Sequence, residues 1–374
     1  MKCLQKKGKI LFLIFVFLIL FSDFSLASAP SDQLSAMEEQ VGYSDFLQTI
    51  PSECLDWLES FGVDLSAETS FPGLVDIFAF CWSYGLSVLR EYLPLLSIGI
   101  ALLLFLKLVS AYSFGSSRLV ESLGFLTAVT SGVYSFSVIQ TLFSALTQAV
   151  SQASAFLTAS LPVAMSARLW SGSPSASTVL SLSLPPILSV MSTFVSSLYH
   201  PLCLFCYAAS LCGFFRGELS LRPMVSGVRR FCVRGVGIVS GLSVGVFCIQ
   251  KAAAASGDSV ARRGIRFALA QILPIAGGAL TDGVETVYAC GRALSGKIGV
   301  ICVLVLFSLF VFPCLLGFLL MALYSLLSSV GGLFDVPLLT DFYGDVKDTV
   351  AVLTSFAVCS LTVLSSAMLL MMGG

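Results

Sequence analysis

Residues 298–327 read IGVICVLVLFSLFVFPCLLGFLLMALYSLL, about thirty consecutive positions without one charged side chain. A helix that spans a bilayer needs roughly 20 such residues. Inside lipid an α-helix satisfies its own backbone hydrogen bonds, whereas an isolated strand leaves its N–H and C=O groups unpaired. The run therefore reads as a membrane helix. Because it is longer than a bilayer is thick, it must tilt, bend or protrude, and Pro313 near its middle supplies a kink point.

The rest of the chain agrees with that reading. Its 374 residues are 57% hydrophobic and 11% charged, where soluble domains carry roughly 25% charged residues. Further apolar runs lie at 93–113, 186–215 and 349–372, with a second kink point at Pro201, and weaker ones lie at 119–139 and 233–249. The expected fold class is all-α: a polytopic helical membrane protein with a cleaved signal peptide and six to eight membrane segments, one of them re-entrant in one reading. The run 233–249 carries Gly235, Gly237, Gly241 and Gly245. Small residues four apart let helices approach closely, so this helix is predicted to pack inside the bundle. Residues 142–161 are rich in Ser, Ala, Thr and Gln. They read as an interfacial or extracytoplasmic helix, with the lining of an aqueous path as the alternative. Residues 171–177 (SGSPSAS) read as a loop.

At the N-terminus, Lys2, Lys6, Lys7 and Lys9 precede a short apolar run at 10–21, and small residues follow at Ser25, Ala27 and Ala29. This is the pattern of a signal peptide. Cleavage is expected after Ala27, because cleavage after Ala29 would place Pro30 against the peptidase. The expected organisation is a signal peptide at 1–27, an acidic extracytoplasmic head of short amphipathic helices at 28–89, and a helical membrane domain at 90–374. The head contains no Lys or Arg at all.

The positive-inside rule then sets orientation from Lys and Arg in short loops. With the head outside, Arg118 and the cluster Arg216, Arg222, Arg229, Arg230 and Arg234 fall in the cytoplasm. Lys251, Arg262, Arg263 and Arg266 follow the glycine-rich run, yet favour the same side. Either that run re-enters without crossing, or Arg262 to Arg266 sit outside and 267–290 returns the chain across the membrane. The acidic loop Asp335, Asp341, Asp345 and Asp348 is expected outside, which puts Lys297 and the C-terminus inside. Asp341, Asp345 and Asp348 share one helical face and read as a solvated acidic surface rather than a Ca²⁺ site.

Little in the chain supports catalysis. His200 is the sole histidine and immediately precedes Pro201 in an apolar run, so no Ser-His-Asp, Cys-His or multi-histidine metal site is expected within the chain. A Gly-x-x-x-x-Gly-Lys-Ser/Thr phosphate loop is missing, so ATP-driven work would come from a partner ATPase in trans. No cofactor, metal or nucleic acid is indicated. The 12 cysteines sit mostly in apolar runs, where a thiol behaves as a small hydrophobe. Cys203-x-x-Cys206 is read in that way, and a Cys54–Cys81 bridge is left open.

One segment combines glycines with carboxylates in apolar surroundings: 274–286, PIAGGALTDGVET. Gly277, Gly278 and Gly283 permit a helix break after Pro274, and Asp282 and Glu285, three apart, share a helix side. Two readings follow: a broken-helix polar site like those of transporters, or Asp282 as the cap of the next helix with Glu285 paired to Arg292 or Lys297. Just upstream, Arg262, Arg263 and Arg266 with Phe267 suggest a cytoplasmic contact with anionic lipid or with an acidic partner.

The stretch from Arg266 to Thr286, with FALA at 267–270, PIAGG at 274–278 and DGVET at 282–286, resembles the signature region of the stage III sporulation protein AE family. The likeness runs from about Gly85 to Met372. It implies a mother-cell membrane around the forespore and a non-enzymatic subunit of a channel or secretion-like complex needed for forespore development after engulfment. The implied partners are other membrane subunits of that complex, and a homo-oligomer is compatible with this role. An autonomous secondary transporter with its site at 274–285 is the alternative, and a purely structural scaffold is a third reading.

Overall fold

The computed structural model describes residues 31–60, 74–112, 117–212, 222–272 and 277–372. Among them every regular element is a helix. Three short helices come first: α1 (Ser31–Val41), α2 (Tyr43–Gln48) and α3 (Ser52–Ser60). The long ones follow: α4 (Leu74–Tyr112), α5 (Ser117–Trp170), α6 (Pro174–Thr193), a π-helical turn (Phe194–Tyr199), α7 (His200–Cys212), α8 (Arg222–Ile272), α9 (Gly277–Leu333) and α10 (Pro337–Met372). Six helices are long and apolar enough to cross a membrane, in α4, α5, α6, α8, α9 and α10, and His200–Leu211 is a shorter apolar helix. The signal-peptide segment, residues 1–27, lies outside the described residues.

The run 298–327 forms the central part of α9, which continues through Pro313. α9 and α10 make the centre of the bundle, with 72% and 61% of their apolar windows buried, whereas α4 and α8 bury only 22% and 17%. Two small-to-large contacts hold this centre together. Gly317 of α9 lies against Thr354 of α10, and Gly99 of α4 lies against Leu327 of α9. An added Cβ at Gly317 would come within 2.2 Å of Thr354 Oγ1, so only glycine admits this approach.

Paired contacts give the direction of each helix. α4 runs with α9, since Tyr84 meets Phe312 and Gly99 meets Leu327. α10 runs against α9, since Thr340 lies by Gly331 and Thr354 by Gly317. α5 also runs against α9: Ser135 is beside Tyr324 and Trp170 is beside Gly291. α7 runs against α10, with Tyr199 donating to the Val352 carbonyl and the Tyr207 ring meeting Phe342. α8 runs with α10, with Arg229 at Asp345 and Ser240 by Cys359. The result is an up-and-down bundle in which α6, the π-turn and α7 together make one pass.

The π-turn has a local cause. Pro201 has no N–H to donate and its ring crowds the carbonyl four residues earlier, so the widened turn just upstream absorbs the mismatch. The kink expected at Pro201 is therefore present as a change of helix type. Two tight connections use left-handed residues: Gly172 (φ 70°) between α5 and α6, and Asp335 (φ 53°) between α9 and α10.

Four expectations are corrected. Residues 142–161 are not a separate interfacial helix but continue α5, whose 54 residues make a rod of about 80 Å, far beyond a bilayer core of about 30 Å. The glycine-rich run 233–249 does not re-enter: α8 is one uninterrupted helix of 51 residues. Nor does its glycine face pack inside, since an added Cβ at Gly235, Gly237, Gly241 or Gly245 would meet nothing within 4 Å, while Val236 and Phe247 on the other face are buried. Finally, an even number of passes puts the end of α10 at the same end of the bundle as the head. A head outside and a C-terminus inside cannot both hold.

Candidate functional site at the two polar ends of the bundle

The acidic head docks where α5 and α9 rise past the apolar belt. Phe46 and Leu58 are fully buried, the Phe46 ring lies 6.0 Å from Phe156 of α5, and the Trp57 ring lies 5.9 Å from Phe307 of α9. Lys297, itself 5% exposed, donates from Nζ to Glu38 Oε1 at 2.9 Å and sits 4.7 Å above the Tyr43 ring. Burial, with Glu38 adding to it, pushes the Tyr43 phenol well above its ordinary value, so it stays neutral beneath the ammonium. Lys297 was expected on the opposite side of the membrane from the head. The ion pair places it at the head's end, because α9 descends from that end rather than rising to it.

A second buried polar junction lies nearby. Asp258 of α8 is 3% exposed and accepts the Ser175 N–H at 2.9 Å, and its charge counters that of Arg168, 5% exposed on α5. The α5–α6 turn is clamped from the other side: the Tyr288 ring of α9 crosses Gly172, and Gly291 lies against the backbone of Trp170 and Ser171. These contacts hold neighbouring parts of α5, α6, α8 and α9 together.

Of the residues singled out in the sequence, Pro274 lies outside the described residues. Gly277, Gly278, Asp282 and Gly283 form the opening turns of α9, and Glu285 is half-buried there. From Gly277 onward the helix is continuous, so Asp282 lies inside it rather than at its N-cap, and the break expected after Pro274 falls on 273–276, outside the described residues. Arg262, Arg263 and Arg266 lie late on α8, at the head's end and far from Arg229; Arg263 is exposed. The structure thus places both candidate groups at one end of the bundle. Cys54 is buried, and the side chain of Cys81 lies outside the described residues. His200 stacks on Phe143, with ring centroids 4.1 Å apart, which is a packing role.

The opposite end holds a site that the sequence reading divided between two sides of the membrane. Arg229 of α8 is 7% exposed; it donates to Asp345 Oδ1 at 3.0 Å and to Ser210 Oγ at 2.9 Å, with Asp348 Oδ2 at 3.8 Å. It lines an open cleft of about 440 Å³ with Ser226, Ser328, Asp341 and Asp345. The acidic loop therefore sits with the arginine cluster, not across the bilayer from it. Opposite charges in two separate loops were the available signal. Among the described residues no group of three or more His, Cys, Asp or Glu side chains converges as a metal site would.

Comparison with known proteins now bears on this geometry. Residues 58–371 match the family model described as stage III sporulation protein AE. The chain belongs to the stage III sporulation protein AE family. The matched range takes in all six long apolar helices, the Lys297 end and the Arg229–Asp345 end alike. A protein named stage III sporulation protein AE from Bacillus subtilis (strain 168) is 21% identical over 187 residues, covering 49% of this chain and 46% of that protein. The match thus spans about half the length of that relative. No solved structure matches the chain. Membership gives this membrane protein a role in sporulation.

Proposed function

We propose that the chain is a non-enzymatic integral membrane subunit of a channel or secretion-like complex that links mother cell and forespore and supports forespore development after engulfment. The observation that carries this reading is the family match over 58–371, which takes in the whole described helical bundle. The bundle supports it further: its buried polar groups join helices to one another, as Arg229 does with Asp345 and Lys297 with Glu38.

In this reading the head, which contains no Lys or Arg, faces the space between the two membranes, along with the end of α10. Lys107 of α4, Arg118 of α5 and the Arg229–Asp345 cleft face the mother-cell cytoplasm. There the cleft is available to other subunits and to an ATPase in trans. Arg262, Arg263 and Arg266 then face the intermembrane side, where anionic lipid or an acidic segment of a partner would meet them. Deleting the gene in its own spore-forming host tests the proposal. Engulfment should proceed and vegetative growth should be unchanged, while heat-resistant spores fall by orders of magnitude; a normal spore yield would overturn it.

A further inference from the structure

α4 and α8 are the two long helices that the bundle leaves most open, and they are not packed against each other. Each carries charge on its open face. Glu91 of α4 and Arg234 of α8 are both exposed, and neither forms an ion pair within the described residues.

The two residues stand at one depth. Tyr84 at Phe312 and Gly99 at Leu327 put Glu91 level with Leu319 of α9. Arg229 at Asp345 and Ser240 by Cys359 put Arg234 level with Ala351 of α10, and Thr354 at Gly317 carries that level to Leu319 and Leu320. Both charges therefore lie within the apolar belt of 298–327, where a charge facing lipid is costly and is found paired or facing protein.

Copies inserted in one membrane share an orientation, so depth in one copy is depth in all. A Glu91 on one side and an Arg234 on another cannot meet within a single chain, but they meet when α4 of one copy lies along α8 of the next. The adjoining surfaces fit the same pairing. On the sides that carry the two charges, Ile98 of α4, 40% exposed, stands level with Gly227 of α8, where an added Cβ would meet nothing, so a bulky side chain meets a small one, the arrangement by which membrane helices pack closely. Arg90 lies about 100° round α4 from Glu91 and so leaves the carboxylate to face the arginine.

We propose that copies of this chain associate side by side in the membrane, α4 of one against α8 of the next, with Glu91 of the first pairing with Arg234 of the second. The two surfaces differ, so the contact is heterologous and builds a ring if its rotation closes. The association does not depend on the sporulation role proposed above, because it is read on the purified chain alone.

The test is the mass distribution of the full-length protein in lipid nanodiscs. Wild type should appear as multiples of the chain mass. Glu91→Arg and Arg234→Glu should each lose at least tenfold of the oligomer. An equimolar mixture of the two variants should regain it, because each supplies the intact face the other lacks, and the doubly swapped chain should regain it as well. Single variants are scored only where circular dichroism matches wild type, and Glu91→Gln and Arg234→Gln replace either one that fails to fold. A monomeric wild type, including one captured by a different membrane protein, would overturn the proposal. So would folded single variants that keep the wild-type distribution, or a mixture that stays monomeric.

Discussion

Lys297 Nζ and Glu38 Oε1 lie 2.9 Å apart, joining the start of the longest apolar run to the first described helix of the acidic head. The contact spans most of the sequence, and both side chains are largely buried, at 7% and 22% exposure. Removing one partner of such a pair leaves the other charged and poorly solvated. Glu38→Gln should therefore weaken head docking by about 2–4 kcal/mol. Lys297→Met, which removes the charge but keeps apolar volume over Tyr43, should cost less. Limited proteolysis within 31–60 reads the difference; equal cleavage of both variants and wild type would count against a docked head.

At the other end Arg229 is held by Asp345 and Ser210, with Asp348 in reserve at 3.8 Å. Asp345 is a quarter exposed, so part of any lost pairing is recovered from water. Asp345→Asn should destabilise the bundle by about 1–3 kcal/mol. Asp348→Asn alone should change it by less than about 0.5 kcal/mol, as an exposed partner would. Thermal unfolding in detergent checks the ranking, which a larger effect of Asp348→Asn would reverse.

Close approach of α9 and α10 depends on Gly317. Gly317→Ala forces its Cβ onto Thr354 and should cost about 1–3 kcal/mol. Thr354→Ala in the same chain removes the Oγ1 and Cγ2 that clash and should return part of the loss. Ala at Gly85, where an added Cβ meets nothing, is the control and should be neutral within about 0.5 kcal/mol. An effect at Gly85 as large as that at Gly317 would show that the penalty is not one of packing.

An uninterrupted α8 requires residues 225 and 256 to lie on opposite sides of the membrane. Reporters inserted beside Val225 and Ser256 should report opposite compartments, and a reporter fused after Gly374 should agree with the one at Ser256. If Val225 and Ser256 report the same compartment, α8 does not cross.

The run 298–327, read by itself, determined that this is a helical membrane protein, because so long a run of uncharged side chains exceeds a membrane strand and a helix satisfies its backbone in lipid within one segment. Pro201 likewise announced the change of helix type just upstream, since a missing N–H acts locally, whereas Pro313, the same residue type, left α9 an uninterrupted α-helix. The glycines of 233–249 announced a helix that can be approached closely, but not what approaches it: four-residue spacing defines a face, and only the positions of the other helices left that face open. Sidedness was misread where both signs of charge occur at each end. Assigning loops by sign separated Arg229 from Asp345 and Lys297 from Glu38, although a paired charge is stable at either end. Which charges pair depends on which helix ends meet across more than a hundred residues of chain, and that was decided by tertiary packing alone.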